Sequence, residues 1–422
     1  MERMNIAPGV HLTVLEAGHF KRCRVSLNFV WPAQRARATA EALLPLVMER
    51  GTAACPDMTE LSKRLAALYG AEYAVSGSML GANRTLSVCV TGIRDEYALA
   101  GEALSAAYAQ LAAGAAFAPY LPGGVFDTEA VDIEREQLRE QLESEINDKR
   151  LYCLRQARRR FYGDAPEGIE RDGYLDELDA VTPAALTEAY REMVRTAQLE
   201  VMVLGADAAA VRTQVLRALA GVQRAPAPLA PASAVPVRAA ESVDEPVDTV
   251  QGKLCLLFTS GAPMDANVLP ALRLAAGMLG GTPTSRLFLN VREKQSLCYY
   301  CSATATSRSG ELCIDSGVEH ANAAAAKAAI LHEFDALANG AISEKELADA
   351  KRYFTGMLGC VSDSLSGLEG WYLNEICRGT FLSPQQSAAL LADVSAAEVQ
   401  RVLRSFTLLV SYCITKGEAA DA

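Results

Sequence analysis

SRLFLNVREKQSLCYY, residues 285–300, reads as a helix that ends near Lys294 and a strand that starts near Leu297, with a single turn between them. This corner sits inside a longer order of signals. KLCLLFTSG is a strand pattern and ANVLPALRLAAGMLG a helix upstream of it. Downstream, SLCYYCSATAT and GELCIDSGV are strands, AAAAKAAILHEFDALANG and SEKELADAKRYFTGMLGCVSD helices, and SFTLLVSYCIT a closing strand. The first half runs through the same order. HLTVLEA and CRVSLNFVW are strands, ATAEALLPLVMERG and TELSKRLAALYG helices, and AEYAVSGSM and RTLSVCVTG strands. Two long helices follow (EYALAGEALSAAYAQLAAG and DTEAVDIEREQLREQLESEINDKR), and LEVMVLGAD closes with a strand. The expected fold is α+β: two homologous α/β halves of about 200 residues, each a largely antiparallel sheet packed with helices. RAPAPLAPASAVPVRAAESVDEPVD, residues 224–248, is rich in Pro and Ala and lacks periodicity, which marks an extended linker between halves at 1–223 and 249–422.

Composition narrows the function. At 422 residues with 50% apolar content, the chain can bury a core in each half. The net charge of −11 argues against nucleic acid and anionic membranes as partners, since both require clustered Lys and Arg. No apolar run approaches the roughly 18 residues of a spanning helix. MERMNIAPGVHLTVLEAGHF has no apolar block of the leader type, and the eleven scattered cysteines suit a reduced compartment, so a cytoplasmic location is expected.

The usual catalytic motifs fail one by one. Of the four histidines, His11, His19, His320 and His332, no two have the spacing that lets imidazoles share a metal on one helix face. His332-Glu333 begins like H-E-x-x-H, but position 336 is Ala336. Cys298-Tyr299-Tyr300-Cys301 is a C-x-x-C at the start of an alternating strand. There positions i and i+3 point to opposite faces about 10 Å apart, too far for a disulfide. GMLGGTPTSR, residues 277–286, leaves a helix and lacks the Gly-Lys-Ser/Thr ending of a phosphate loop. The acidic helix Ile133 to Lys149 mixes charges at i, i+4 spacing and reads first as a solvated face. No cofactor and no resident metal are expected.

Arg292 and Tyr299 flank the turn of the opening stretch and can converge on one point. A guanidinium fork and a phenolic O–H together suit a peptide carbonyl or an oxyanion. Taken alone, the two residues read first as an exposed Arg and a packed Tyr.

The chain resembles, over nearly its whole length, the insulinase and pitrilysin family of zinc peptidases, the inverzincins. SRLFLNVREKQSLCYY is similar to the family pattern S-R-L-F-x-x-[VL]-R-E-K-x-x-L-x-Y, and SEKELADAKRYFTG to the helix that follows it. GDAPEG, LDAVTPAALTEAYREM and LEVMVLGAD resemble first-half stretches of the family. The resemblance implies the insulinase, pitrilysin and mitochondrial processing peptidase-like fold. It also implies a catalytic H-x-x-E-H a few residues before a Lys/Arg-Gly-Thr turn. Counting back from Arg50-Gly51-Thr52 puts Ala42, Pro45 and Leu46 in the slots of the first His, the Glu and the second His. The third ligand would fall near Gln141 or Leu142, next to Glu140. Arg292 and Tyr299 match the pair that contacts the substrate backbone in active relatives.

A lost zinc half-site beside a retained Arg/Tyr half-site is the pattern of paired members, in which one subunit carries zinc and a metal-free subunit supplies the Arg/Tyr pair. The implied function is therefore a non-catalytic subunit of a two-subunit zinc metallopeptidase, a heterodimer engaged in peptide processing. A different reading is an inert homodimeric peptide-binding or scaffold protein. Some partly inert bacterial relatives are associated with maturation of elongation factor P, others with bacteriocin or peptide processing.

Overall fold

A computed structural model describes residues 1–417. These fall into two units. The first comprises Met1–Glu143, Ile169–Pro231 and Ser364–Leu373; the second comprises Ser144–Gly168, Ala232–Asp363 and the segment from Asn374.

The first unit carries β1 (Glu2–Ala7), β2 (Val10–Leu15), β3 (Arg22–Pro32), β4 (Glu72–Leu80), β5 (Asn83–Ile93) and β6 (Gln198–Leu204) in one sheet of order β1-β2-β6-β3-β5-β4. Only β2 and β6 pair in parallel; the other neighbours are antiparallel. β3 is the apolar centre, because it is hydrogen-bonded on both edges and its Val25, Leu27 and Phe29 are fully buried. Helix α1 (Ala38–Glu49) covers the sheet with Leu43, Leu44, Val47 and Met48, and α3 (Leu104–Phe117) packs on β3 and β5. Between them in sequence lies α2 (Met58–Ala67), capped by Asp57, which accepts from the Thr59 and Glu60 amides. The acidic helix α4 (Thr128–Glu143) lies against α1.

The second unit's sheet contains β7 (Glu241–Val247), β8 (Gly252–Thr259), β9 (Cys298–Thr306), β10 (Glu311–Val318) and β11 (Thr407–Lys416), in the order β7-β11-β8-β10-β9. β7 and β11 are parallel and the rest antiparallel. Helix α5 (Lys149–Tyr162) packs Cys153, Ala157 and Phe161 against Cys255, Leu257 and Tyr412 on one face. On the other side Phe258 stacks on Phe334 of helix Ala323–Asn339 at 4.7 Å.

The duplication expected from the sequence is present strand for strand. β2-β6-β3-β5-β4 in the first unit and β7-β11-β8-β10-β9 in the second share one order and one pattern of parallel and antiparallel pairing. β1 is the addition.

Three local readings change. The acidic helix does not continue to Arg150: it ends at Glu143, and after a 3-10 turn Asp148 caps a new helix by accepting from the Arg150 and Leu151 amides. The stretch SRLFLNVREK is wound as a wide π-helical segment over Leu287–Lys294 rather than as an α-helix. Within the Pro-rich stretch 224–248, Glu241–Val247 is an edge strand. It pairs only with β11, and Pro246 is tolerated there because an edge position leaves its missing donor without consequence.

Candidate functional site

Ala42, Pro45 and Leu46 lie on α1, Ala42 and Pro45 buried and Leu46 half-buried. Pro45 is inside the helix, so the carbonyl of Glu41 has no amide donor one turn on. The ring is housed by β4: a Cβ built on Gly77 would come within 3.3 Å of Pro45 Cγ. Polar residues of α1 face elsewhere. Glu41, buried, accepts from Trp31 Nε1 at 3.0 Å and lies 3.3 Å from the buried Arg84 Nε. Burial pushes the Glu41 carboxyl up and the Arg84 guanidinium down, each against the opposing pull of its partner.

Arg50 pairs with Glu134 of α4 at 2.7 Å. Stepping along α4 from Glu134 by helical periodicity, the same face continues through Leu138 to Gln141 and Leu142. Leu138 is buried and Leu142 packs into the core, while Gln141 and Glu140 are exposed. At the positions to which the family resemblance assigns zinc donors, Ala42, Pro45, Leu46 and Leu142 offer only hydrocarbon and Gln141 an exposed amide, so these residues do not fit the metal. Among the described residues no group of three His, Cys, Asp or Glu side chains converges as a metal site.

The histidines have other engagements. His11 Nδ1 lies 3.3 Å from Glu200, with burial pulling its pKa down, and His320 Nε2 is 3.0 Å from the Thr249 carbonyl. His19 contacts the Phe20 ring, and His332 is exposed.

The turn after Lys294 brings Arg292 and Tyr299 to one cleft of about 360 Å³, also lined by Ser296, Cys298 and Glu319. Wide winding sets the exit. The Ser296 amide donates to the Arg292 carbonyl and the Leu297 amide to the Val291 carbonyl, both at 3.1 Å, with Ser296 in the left-handed region at φ 52. In the first unit the matching corner, between α2 and β4, also turns through left-handed residues, Tyr69 and Gly70.

Arg292 is 40% exposed at its side chain. Its guanidinium lies 4.8 Å from the Phe288 ring centroid and 3.6 Å from Glu293. Tyr299 is 48% exposed and donates its hydroxyl to Glu319 Oε1 at 3.1 Å, which raises the pKa of the phenol. The cleft thus offers a cationic fork, a phenol and a carboxylate side by side. Glu319 was not legible in the sequence, because it lies one residue beyond β10 and reaches the cleft only through the pairing of β10 with β9.

The C-x-x-C reading needs correction. The β9–β10 register runs Gly317↔Tyr300 and then Val318↔Cys298, so Tyr299 is an extra, unpaired residue, a β-bulge. The bulge cancels one alternation. Cys298 and Cys301 therefore lie on the same face, both buried, opposite Val318 and Ser316 of β10.

The chain is similar to M16 peptidase homologues described as inactive. Residues 180–354 match the family model described as "Peptidase M16 inactive domain". The chain is 25% identical over 415 residues to the "Probable inactive metalloprotease YmfF" of Bacillus subtilis, covering 98% of this chain and 97% of that one. Among solved structures, a conserved protein from Enterococcus faecalis superposes with a TM-score of 0.90 at 26% identity, covering 100% of this chain and 99% of that one. A peptidase M16 inactive domain from Pseudomonas fluorescens gives 0.77 at 17% identity, with 99% and 98% coverage. A protease from Helicobacter pylori gives 0.80 at 13%, with 98% and 99%; these last two are likenesses of fold. Among the described residues, no helix is long and apolar enough to cross a membrane.

Proposed function

We propose that the chain is a non-catalytic, cytoplasmic subunit of a two-subunit zinc metallopeptidase, and that its Arg292 and Tyr299 hold the backbone of a peptide presented to a zinc-bearing homologous partner. The observation that carries this reading is the contrast between the two units. Ala42, Pro45 and Leu46 offer no ligand and no base, whereas Arg292 and Tyr299 share one open cleft. An extended peptide alternates carbonyl acceptors and amide donors. Arg292 can donate to the former, Glu319 can accept from the latter, and Tyr299, now committed to Glu319, can turn its O–H to a carbonyl as peptide enters.

The test is co-purification followed by reconstitution. The chain should recover an H-x-x-E-H homologue, and the pair should cleave peptides that neither subunit cleaves alone. Arg292→Ala and Tyr299→Phe should each lower kcat/KM of the pair by about tenfold or more, the loss of one hydrogen bond to a charged or developing charge. Unchanged cleavage by both variants would end this assignment. A stable homodimer that binds peptide with no zinc-bearing partner would favour the scaffold reading, and stoichiometric zinc in the purified chain would contradict both.

A further inference from the structure

We infer that Cys298 and Cys301 form an oxidisable dithiol, a modification site at the rim of the Arg292/Tyr299 cleft that closes to an intrachain disulfide when a hydroperoxide enters. The first support is spacing. Cys298 stands opposite Val318 and Cys301 opposite Ser316 on β10, two residues apart on a regular strand. That corresponds to about 6.7 Å between the two Cα positions, inside the upper limit for a disulfide. Without the bulge at Tyr299 the thiols would lie on opposite faces of the sheet, as the C-x-x-C spacing alone demands.

The second support is access combined with polarity. Cys298 lines the cleft, which gives a molecule as small as a peroxide a route toward it, while Cys301 is buried and is not among the cleft's lining residues. The Cys298 thiolate is favoured first by the Cys301 thiol, then by the Ser316 hydroxyl and the Arg292 charge, against the cost of burial; Cys301 is pushed the other way. An attacking thiolate backed by a protonated thiol is the division of labour a two-step oxidation requires. Cys255 and Cys313 provide an internal contrast. Their sulfurs are 3.9 Å apart, but both are buried in the core beneath α5.

The chemistry balances. The Cys298 thiolate attacks one peroxide oxygen, the O–O bond breaks, and hydroxide (or alkoxide) leaves and is protonated, giving a sulfenic acid. Cys301 then attacks the sulfenic sulfur, the S–S bond forms, the S–O bond breaks, and water leaves with the Cys301 proton. Two thiols are oxidised and one peroxide is reduced. Because Tyr299 is the residue bulged between the two sulfurs, the disulfide fixes the loop of backbone that carries it.

The experiment uses the full chain, reduced and then exposed to hydrogen peroxide, with mapping of the tryptic fragment 295–308, which contains both cysteines. That fragment should become lighter by two hydrogens at least about tenfold faster than the fragment bearing the exposed Cys360 is oxidised, since an ordinary thiol is only a few per cent ionised near neutral pH. Cys301→Ser, which keeps a hydroxyl in place, should stop at a sulfenic acid on Cys298 that dimedone traps. Cys298→Ser should abolish the fast phase. A fragment 295–308 that stays reduced while Cys360 oxidises, or a Cys301→Ser chain with no dimedone adduct on Cys298, overturns the assignment. Neither outcome bears on whether the cleft binds peptide, so this inference and the functional reading fail separately.

Discussion

Glu41→Gln is the substitution that most directly tests how the first unit tolerates charge beneath its degenerate site. Glu41 is 4% exposed and Arg84 1% exposed, and the pair is separated by 3.3 Å. Gln keeps the shape and an acceptor for Trp31 but removes the charge that compensates Arg84. Breaking a buried pair from one side costs about 3–5 kcal/mol. Here the lower end applies, because Arg84 also donates to the Arg171 carbonyl at 2.9 Å and to the Glu170 carbonyl at 3.1 Å. The expected loss is therefore about 3 kcal/mol. With a urea dependence of about 2 kcal/mol per molar, that moves the midpoint down by about 1.5 M. Both tryptophans, Trp31 and Trp371, belong to the first unit, so their fluorescence reports on its unfolding alone. Glu41→Leu combined with Arg84→Met should recover most of the loss, since a well-packed apolar pair replaces a buried ionic one at little net cost. A Glu41→Gln chain within about 0.5 kcal/mol of the wild type would refute the claim that this charge is compensated locally.

Two further outcomes follow from the same geometry. Burial raises the Glu49 carboxyl pKa, helped by the nearby Glu134 and opposed by a hydrogen bond from the Val75 amide. A carboxyl raised in the folded state stabilises the fold below its unfolded value and loses that contribution as pH climbs through the folded one. Glu49→Gln should thus stabilise the first unit at neutral pH by up to about 1 kcal/mol, with the gain vanishing near pH ~4; an equal effect at both pH values would refute it. Ser296→Val places a β-branched residue at φ 52 and should lower the thermal stability of the second unit by about 1–2 kcal/mol, whereas Ser296→Gly should leave it nearly unchanged, both read by calorimetry.

The fold was legible where periodicity is strong and the element is flanked on both sides. β3, α1, β8 and β10 all follow from apolar runs, and their recurrence in one order announced the duplication. Edge elements were harder. β1 and β7 carry alternating polar residues that serve a strand as well as a loop, and only pairing with β2 and β11 decides between them. Helix α5 was hidden because its charged face merges in sequence with α4, and the signal that separates them is one capping aspartate, Asp148. At the site, Arg292 and Tyr299 could be placed on one corner from spacing. Glu319 and the facing of the two cysteines could not, because both depend on cross-strand register, and a single bulged residue inverts the outcome.

The fit between Pro45 and Gly77 acts as a ratchet on chemistry. A glutamate restored at position 45 would have to place a carboxylate where a proline ring now rests against a strand with no side chain, and two histidines would have to displace packed hydrocarbon on either side of it. Polar side chains placed at Ala42 or Pro45 would be buried in the core and would cost stability unless they were paired. The packing of the Pro45 ring against Gly77 thus opposes the placement of a carboxylate at this point of the first unit.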